Sequence, residues 1–231
     1  MAKAPQAGRV KTRLTPLLTP EEAMRLSGAF LRDITENLAE AAQAAPIDPY
    51  IAYAPAGRAD LFNGLLAPGT RLILADGTGE MPVAVQGFGR CLLHAMQGLF
   101  DVGYGAVCVL NSDSPTLPTH YLQQAVTALL APGKRAVLGP AEDGGYYLLG
   151  LQRPEAALFS NITWSTDSVA AETQRQARSI GLPVLSLPSW YDVDDPAALR
   201  RLMAEFETPG NGYRAAATRA RLMELRTPLT L

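Results

Sequence analysis

Ala106-Val107-Cys108-Val109-Leu110 is an unbroken apolar run, opened by Gly105 and closed by Asn111-Ser112-Asp113. A short apolar run bounded by turn residues reads as a strand buried on both faces. Residues 50–53, 71–75, 135–138, 146–149 and 184–187 read as further strands, and between them the apolar spacing becomes helical. Thr19-Pro20-Glu21-Glu22 supplies a Thr N-cap, a proline at the first helical position and a glutamate two places on. Behind it Ala23, Met24, Leu26, Phe30, Leu31, Ile34 and Leu38 carry a helix to about Ala42. Residues 59–66, 89–99, 166–180 and 196–206, and the stretch after Pro118, read as helices too. Strands alternating with helices predict an α/β fold, its mostly parallel sheet covered on both faces.

The chain has 231 residues, 48% of them apolar and 18% charged, which suits one large globular domain. Pro209-Gly210-Asn211-Gly212 marks a break. It divides a main domain over residues 1–207 from a basic helical extension over residues 208–231, which carries Arg214, Arg219, Arg221 and Arg226. A net charge of −2 speaks against a general nucleic-acid or membrane-surface binder. Cys91 and Cys108 lie in apolar stretches without metal-ligand spacing and read as two buried, reduced thiols. No apolar run approaches the roughly 20 residues of a membrane span, and no leader pattern is present. A cytoplasmic protein is expected.

Lysine is scarce: of three in the chain, Lys3 and Lys11 fall within the first fourteen residues. With Arg9 and Arg13 they surround a Pro5/Gly8 turn that leads into helix, a pattern suited to holding a polyphosphate. Asn111-Ser112-Asp113-Ser114-Pro115-Thr116-Leu117-Pro118 follows the buried run directly. Open α/β sheets bind ligands at the carboxyl ends of their strands, and magnesium needs only one or two carboxylates beside substrate phosphates. Asp113 can serve there, or simply cap the next helix. In Glu142-Asp143-Gly144-Gly145-Tyr146-Tyr147 the Asp-Gly pair alone would make a hairpin turn. The second glycine and the paired tyrosines exceed that need and point to a sugar: backbone can approach closely, and a ring face with a hydroxyl is at hand. In Trp190-Tyr191-Asp192-Val193-Asp194-Asp195-Pro196, Asp195 is accounted for as an N-cap, but Asp192 and Asp194 are not. Weaker signals are Arg90, after a Gly-rich turn, and Thr163-Trp164-Ser165-Thr166 ahead of a helix.

Taken in order, five motifs resemble the DUF2064 family of GT-A-type glycosyltransferases. They are Ala2 to Leu14, Ser112 to Pro118, Gly139 to Leu148, Trp164 to Thr166, and Asp192 to Asp194. Genes of that family often stand beside radical-SAM genes, and some are linked to arsenosugar synthesis. The resemblance implies a nucleotide-diphospho-sugar transferase fold: three α/β/α layers around a mixed, mostly parallel sheet. It implies Lys3, Gly8, Lys11, Arg13 and Arg90 at the nucleotide phosphates, and Asp113 and Asp194 as ligands to Mg2+ or Mn2+. It places Gly144, Gly145, Tyr146, Trp164 and Thr166 on the sugar or acceptor side, with Asp143 as a candidate general base. The activity implied is transfer of a sugar from a nucleoside-diphosphate sugar to a small-molecule acceptor. The alternative is nucleotidyl transfer, in which an NTP and a phosphorylated acceptor release pyrophosphate. Two departures stand out. Phe88 sits where relatives carry an acidic, Gly-rich stretch, which bears on Arg90. Relatives also place an apolar strand of about six residues ahead of the Lys3 position, so a first strand is expected in the sheet and a coding start upstream of Met1.

Overall fold

The computed structural model describes residues 1–208 and 210–225; Pro209 of the expected break and Arg226 of the basic tail lie outside them. In chain order the elements are β1 (Ala2–Lys3), α1 (Pro20–Ala41), β2 (Tyr50–Ala54), β3 (Arg71–Leu74), α2 (Phe88–Asp101), β4 (Val107–Leu110), α3 (Thr119–Leu130), β5 (Ala136–Pro140), β6 (Tyr146–Leu151), α4 (Val169–Ser179), β7 (Val184–Ser186), α5 (Pro196–Glu207) and α6 (Ala216–Leu225). Single 3-10 turns lie at Thr12–Leu14, Ala59–Phe62 and Ala156–Phe159.

Local chemistry accounts for the helix starts. Thr19 and Glu22 form the reciprocal capping box that their spacing predicted, with Pro20 inside the first turn. Asp195 caps α5 by accepting from Ala198 N at 2.8 Å, again with proline following. Two expected helices are shorter than their patterns. The 59–66 stretch reduces to the 3-10 turn Ala59–Phe62, because Gly64 takes a left-handed φ of 75°. α4 begins only at Val169, because residues 164–168 are taken up in turns, with Ser165 at φ 66°.

Strands form two sheets of orders β1-β2-β3 and β4-β6-β5-β7. The first is wholly parallel, β5 and β7 are parallel, and β6 runs antiparallel to both of its neighbours. Side chains alternate across the pleat. Val109, Leu149 and Leu138 lie opposite one another and pack into the core beneath α2 and α4. Val137 and Leu148 point the other way, toward α3. Layers of helix on both sides of mixed strands complete the expected α/β/α architecture.

Helix α1 anchors the second layer. Phe30 and Leu26 join Leu199 and Leu202 of α5 and Leu222 and Leu225 of α6 in one apolar cluster. Helix α6 thereby packs into the same apolar cluster as α1 and α5. Buried Asp33 accepts from Ala217 N at 2.9 Å and Thr218 N at 2.6 Å, which ties the start of α6 to α1.

The two sheets do not join. Tyr50 and Ala52 of β2 face Val107 to Leu110 of β4 across a cavity of about 550 Å3, lined also by apolar groups such as Leu99, Leu122 and Leu129 and, at Asp48 and Tyr104, by polar ones. Met1 closes one end, its amino nitrogen donating to Leu110 O at 2.7 Å. This slot corrects two expectations. The 106–110 run is not buried throughout, and Cys108 is not a buried thiol, since it opens into the slot; Cys91 is only half-buried. Desolvation between the apolar walls of the slot nevertheless pushes the Cys108 thiol up to about 12. Among the described residues no helix is long and apolar enough to cross a membrane.

Candidate active site

Lys11 is the residue around which the site is built. It sits in the left-handed region at φ 48°, ψ 36°, just ahead of the Thr12–Leu14 turn, a conformation that costs a non-glycine residue on the order of 1 kcal/mol. The turn packs through Leu14 into the α1–α5 cluster, and so the strained backbone is held from below. Its side chain is 5% exposed and reaches the carboxyl end of β4. There Nζ lies 2.6 Å from Asp113 Oδ1 and 2.9 Å from Asp194 Oδ1, and donates to Val193 O at 2.8 Å. The ring of Phe30 lies beneath, 5.2 Å from Nζ to its centroid. Burial disfavours the ammonium, but the two carboxylates outweigh it and hold the lysine pKa above its ordinary value. Val193 N donates to Asp113 O at 2.8 Å, fastening the Asp192–Asp194 strip to the loop after β4.

Beside this cluster opens a second cavity of about 340 Å3. Lys3, Arg9, Lys11 and Arg13 line it together with Asp113, Asp194 and Ser112. Lys3, Arg9 and Arg13 are exposed and pair with no acidic group among the described residues. Gly8 supplies the φ of 71° that lets the cationic loop turn back over the cavity mouth. The rest of the lining is mostly apolar: Ala2, Ala52, Ala54, Ala75 and Cys91, the larger Val10 and Leu31, and the half-exposed Phe88. Cations beside apolar groups suit a phosphorylated molecule with an apolar part.

The turn between β5 and β6 is fastened to the segment that leads into Asp192 and Asp194. Ala141 bridges to Trp190, and Glu142 N donates to Trp190 O at 3.1 Å. Asp143 Oδ1 accepts from Gly145 N at 2.8 Å. Gly144 has no room for a side chain: a Cβ would lie 2.0 Å from Asp167 O, at a φ of 89°. Asp192 is the residue that the motifs singled out without giving it a role. It is half-buried, and burial together with the negative charges of Asp143, Asp194 and Asp113 pushes its carboxyl up to about 6. The sequence signal was its place two residues before Asp194; what it lacked was any sign of the three carboxylates converging on it.

Other expected residues lie elsewhere. Arg90 donates through Nε to Gly77 O at 2.9 Å and through a terminal nitrogen to Gly79 O at 2.8 Å. It pins that loop and does not line the cavity. Trp164 packs edge-on against Phe88 and covers Gly89, where a Cβ would meet its ring at 2.8 Å; it sets the position of Phe88 and is absent from the cavity lining. Thr166 is spent on Thr163 O at 2.7 Å. Neither tyrosine lines the cavity: Tyr147 donates to Pro188 O at 2.9 Å, and the Tyr146 hydroxyl is buried with no hydrogen-bond partner among the described residues.

Asp113 and Asp194 aim at one point, and among the described residues no cluster of three or more His, Cys, Asp or Glu side chains forms a metal cage. Two carboxylates beside a phosphate-sized opening are the donor set of a magnesium or manganese ion that shares its remaining sites with substrate oxygens. The residues fit such an ion.

Comparison with known proteins agrees with this architecture. The chain is similar to the crystal structure of a Desulfovibrio desulfuricans G20 protein provisionally assigned as a nucleotide-diphospho-sugar transferase. The two are 30% identical, with a TM-score of 0.79 over 98% of this chain and 94% of that one. The fold, at 15% identity and a TM-score of 0.53, is also that of CMP:2-keto-3-deoxy-manno-octonic acid synthetase solved with CTP, over 88% of this chain and 94% of that one. No curated protein matches the chain. A family model described as an uncharacterized protein conserved in bacteria, DUF2064, matches residues 37–166. With that match and a relative of such identity along nearly its whole length, the chain belongs to the DUF2064 family, on a nucleotide-diphospho-sugar transferase fold.

Proposed function

We propose that this protein is a metal-dependent glycosyltransferase that takes a sugar from a nucleoside-diphosphate sugar and passes it to a small-molecule acceptor. The observation that carries the reading is the convergence of Asp113, Asp194 and Lys11 at the mouth of a cavity lined by Lys3, Arg9 and Arg13. The cations hold the diphosphate, and the apolar part of the lining takes the base. Held by Asp113 and Asp194, Mg2+ or Mn2+ would offset charge on the diphosphate leaving group. Lys3 and Arg13 add fixed positive charge where that negative charge develops. Asp143, whose charge acts on the neighbouring Asp192, is the general base in this reading, taking a proton from the acceptor hydroxyl directly or through one water.

A thermal-shift screen of nucleotides and nucleotide sugars with Mg2+ or Mn2+ tests the reading, followed by an assay for free nucleoside diphosphate. Stabilisation by a nucleotide sugar with metal, and its turnover to nucleoside diphosphate, is the expected result. Release of pyrophosphate from an NTP and a sugar phosphate would replace it with nucleotidyl transfer. Asp113→Asn is expected to abolish metal-dependent nucleotide binding. A variant that binds both as tightly as the parent refutes the metal assignment.

A further inference from the structure

The Lys11 ammonium occupies the point on which Asp113 and Asp194 converge. It has three N–H donors, and each has a partner: one carboxylate at 2.6 Å, the other at 2.9 Å, and Val193 O at 2.8 Å. Phe30 covers one side, and the side chain is almost wholly buried. A divalent ion bound by the same two oxygens would sit at roughly 2.0–2.1 Å from each, inside the same space. Two cations cannot share it. In this arrangement Lys11 also has no donor left for a phosphate, so it cannot hold the carboxylates and a nucleotide at once.

We infer that Lys11 is an internal counter-ion which keeps divalent metal off Asp113 and Asp194 until a nucleotide phosphate arrives to take the lysine over. This rests on the proposed nucleotide and metal site and adds an order to it. Metal alone would have to displace a buried, fully hydrogen-bonded ammonium that has nowhere favourable to go. Metal arriving with a diphosphate brings the anion that receives the displaced lysine, and the neighbouring Lys3, Arg9 and Arg13 help hold that anion. Exchange of one cation for another leaves the two half-buried carboxylates paired at every stage, and keeps the buried lysine from standing without an anion. The consequence is positive coupling between metal and nucleotide, with Lys11 as its cause. The left-handed backbone at Lys11 fits this role, because it fixes the side chain over the carboxylates in the absence of ligand.

Mn2+ titration of the nucleotide-free protein, followed by electron paramagnetic resonance, tests the inference without any turnover. The proteins are the parent, Lys11→Met and the charge-keeping Lys11→Arg, each checked for fold by circular dichroism. Lys11→Met is expected to bind Mn2+ at least about tenfold more tightly than the parent, and Lys11→Arg to stay near the parent. Uridine, cytidine, adenosine and guanosine diphosphates are then added to the parent. The one that binds is expected to tighten Mn2+ by about tenfold or more, within the ordinary range of such couplings. Equal Mn2+ affinity in the nucleotide-free parent and a folded Lys11→Met variant, including no binding by either, overturns the inference. If Lys11→Met does not fold, the parent decides: Mn2+ affinity unmoved by a nucleotide that demonstrably binds overturns it, and a tightening of the expected size upholds it. Should none of the four diphosphates bind with or without metal, the proposed function fails, and the nucleotide-free titration then decides on Lys11 by itself.

Discussion

Single side chains at this site are set against one another by charge. Asp192 stands among Asp143, Asp194 and Asp113, and burial plus that repulsion raises its pKa from 3.8 to about 6. Between about pH 4 and pH 6 the folded chain therefore keeps a proton there that the unfolded chain has lost. Where the native state binds more protons, stability falls as pH rises. The group is no burden below about pH 4, and its full cost is present once pH passes through 6. In metal-free buffer Asp192→Asn is expected to be more stable than the parent at pH 8, by on the order of 1–2 kcal/mol after allowance for its partial exposure. That gain is expected to fade to nothing near pH 4. Urea unfolding at both pH values checks it, and a gain that grows toward low pH would contradict the assignment.

Among the elements, α1 organises most of the molecule through polar residues buried on its core face. Thr35 Oγ1 accepts from Ala67 N at 2.9 Å, and Asn37 Nδ2 donates to Leu117 O at 2.7 Å, so each holds a different loop. Asp33 does more. Its two oxygens cap the first turn of α6, where a negative charge also meets the positive end of the helix dipole. Replacement by alanine leaves two backbone N–H groups without their acceptor and is expected to cost about 2–3 kcal/mol, read as a lower urea midpoint. Loss of α6 docking should show as faster hydrogen exchange in Ala216–Leu225 while β4 to β6 keep their protection. Equal protection of α6 in parent and variant would remove Asp33 from this role.

At the scale of the molecule, the break between β2 and β4 leaves two strand edges facing each other across a slot. Ala2 pairs with Tyr53 and Lys3 with Ala54, so the next positions back along β1 point into the slot, beside Ala52, Ile51 and Tyr50. The facing β4 edge offers Val107 to Leu110. An extended apolar segment there would pair with backbone on both sides and remove apolar wall from water. Fusion of five alternating valines and isoleucines ahead of Met1 is expected to raise the unfolding midpoint by at least about 4 °C, equivalent to about 1–2 kcal/mol for a chain of this size. A five-residue Gly/Ser fusion should not. Equal midpoints for the two fusions would show that the slot does not take a strand.

Much of this was legible residue by residue. The capping box at Thr19 and Glu22, the N-cap at Asp195 and the apolar strand runs are written in spacings of a few residues, because hydrogen bonds at helix ends and the pleat of a strand are local. The ordered motifs were legible too, since chain order survives folding. Sequence determined that an α/β sheet would carry carboxylates at its strand ends and cations in its first loop. Tertiary structure alone decided what those groups do to each other. Lys11 and Asp194 are 183 positions apart and meet only because the strip at 192–194 is fastened to the loop after β4. Sheet order likewise turned Arg90 to its own loop, Tyr146 inward and Cys108 onto an open slot. Coulomb energy and burial depend on distance through space, and no periodicity along the chain encodes that distance.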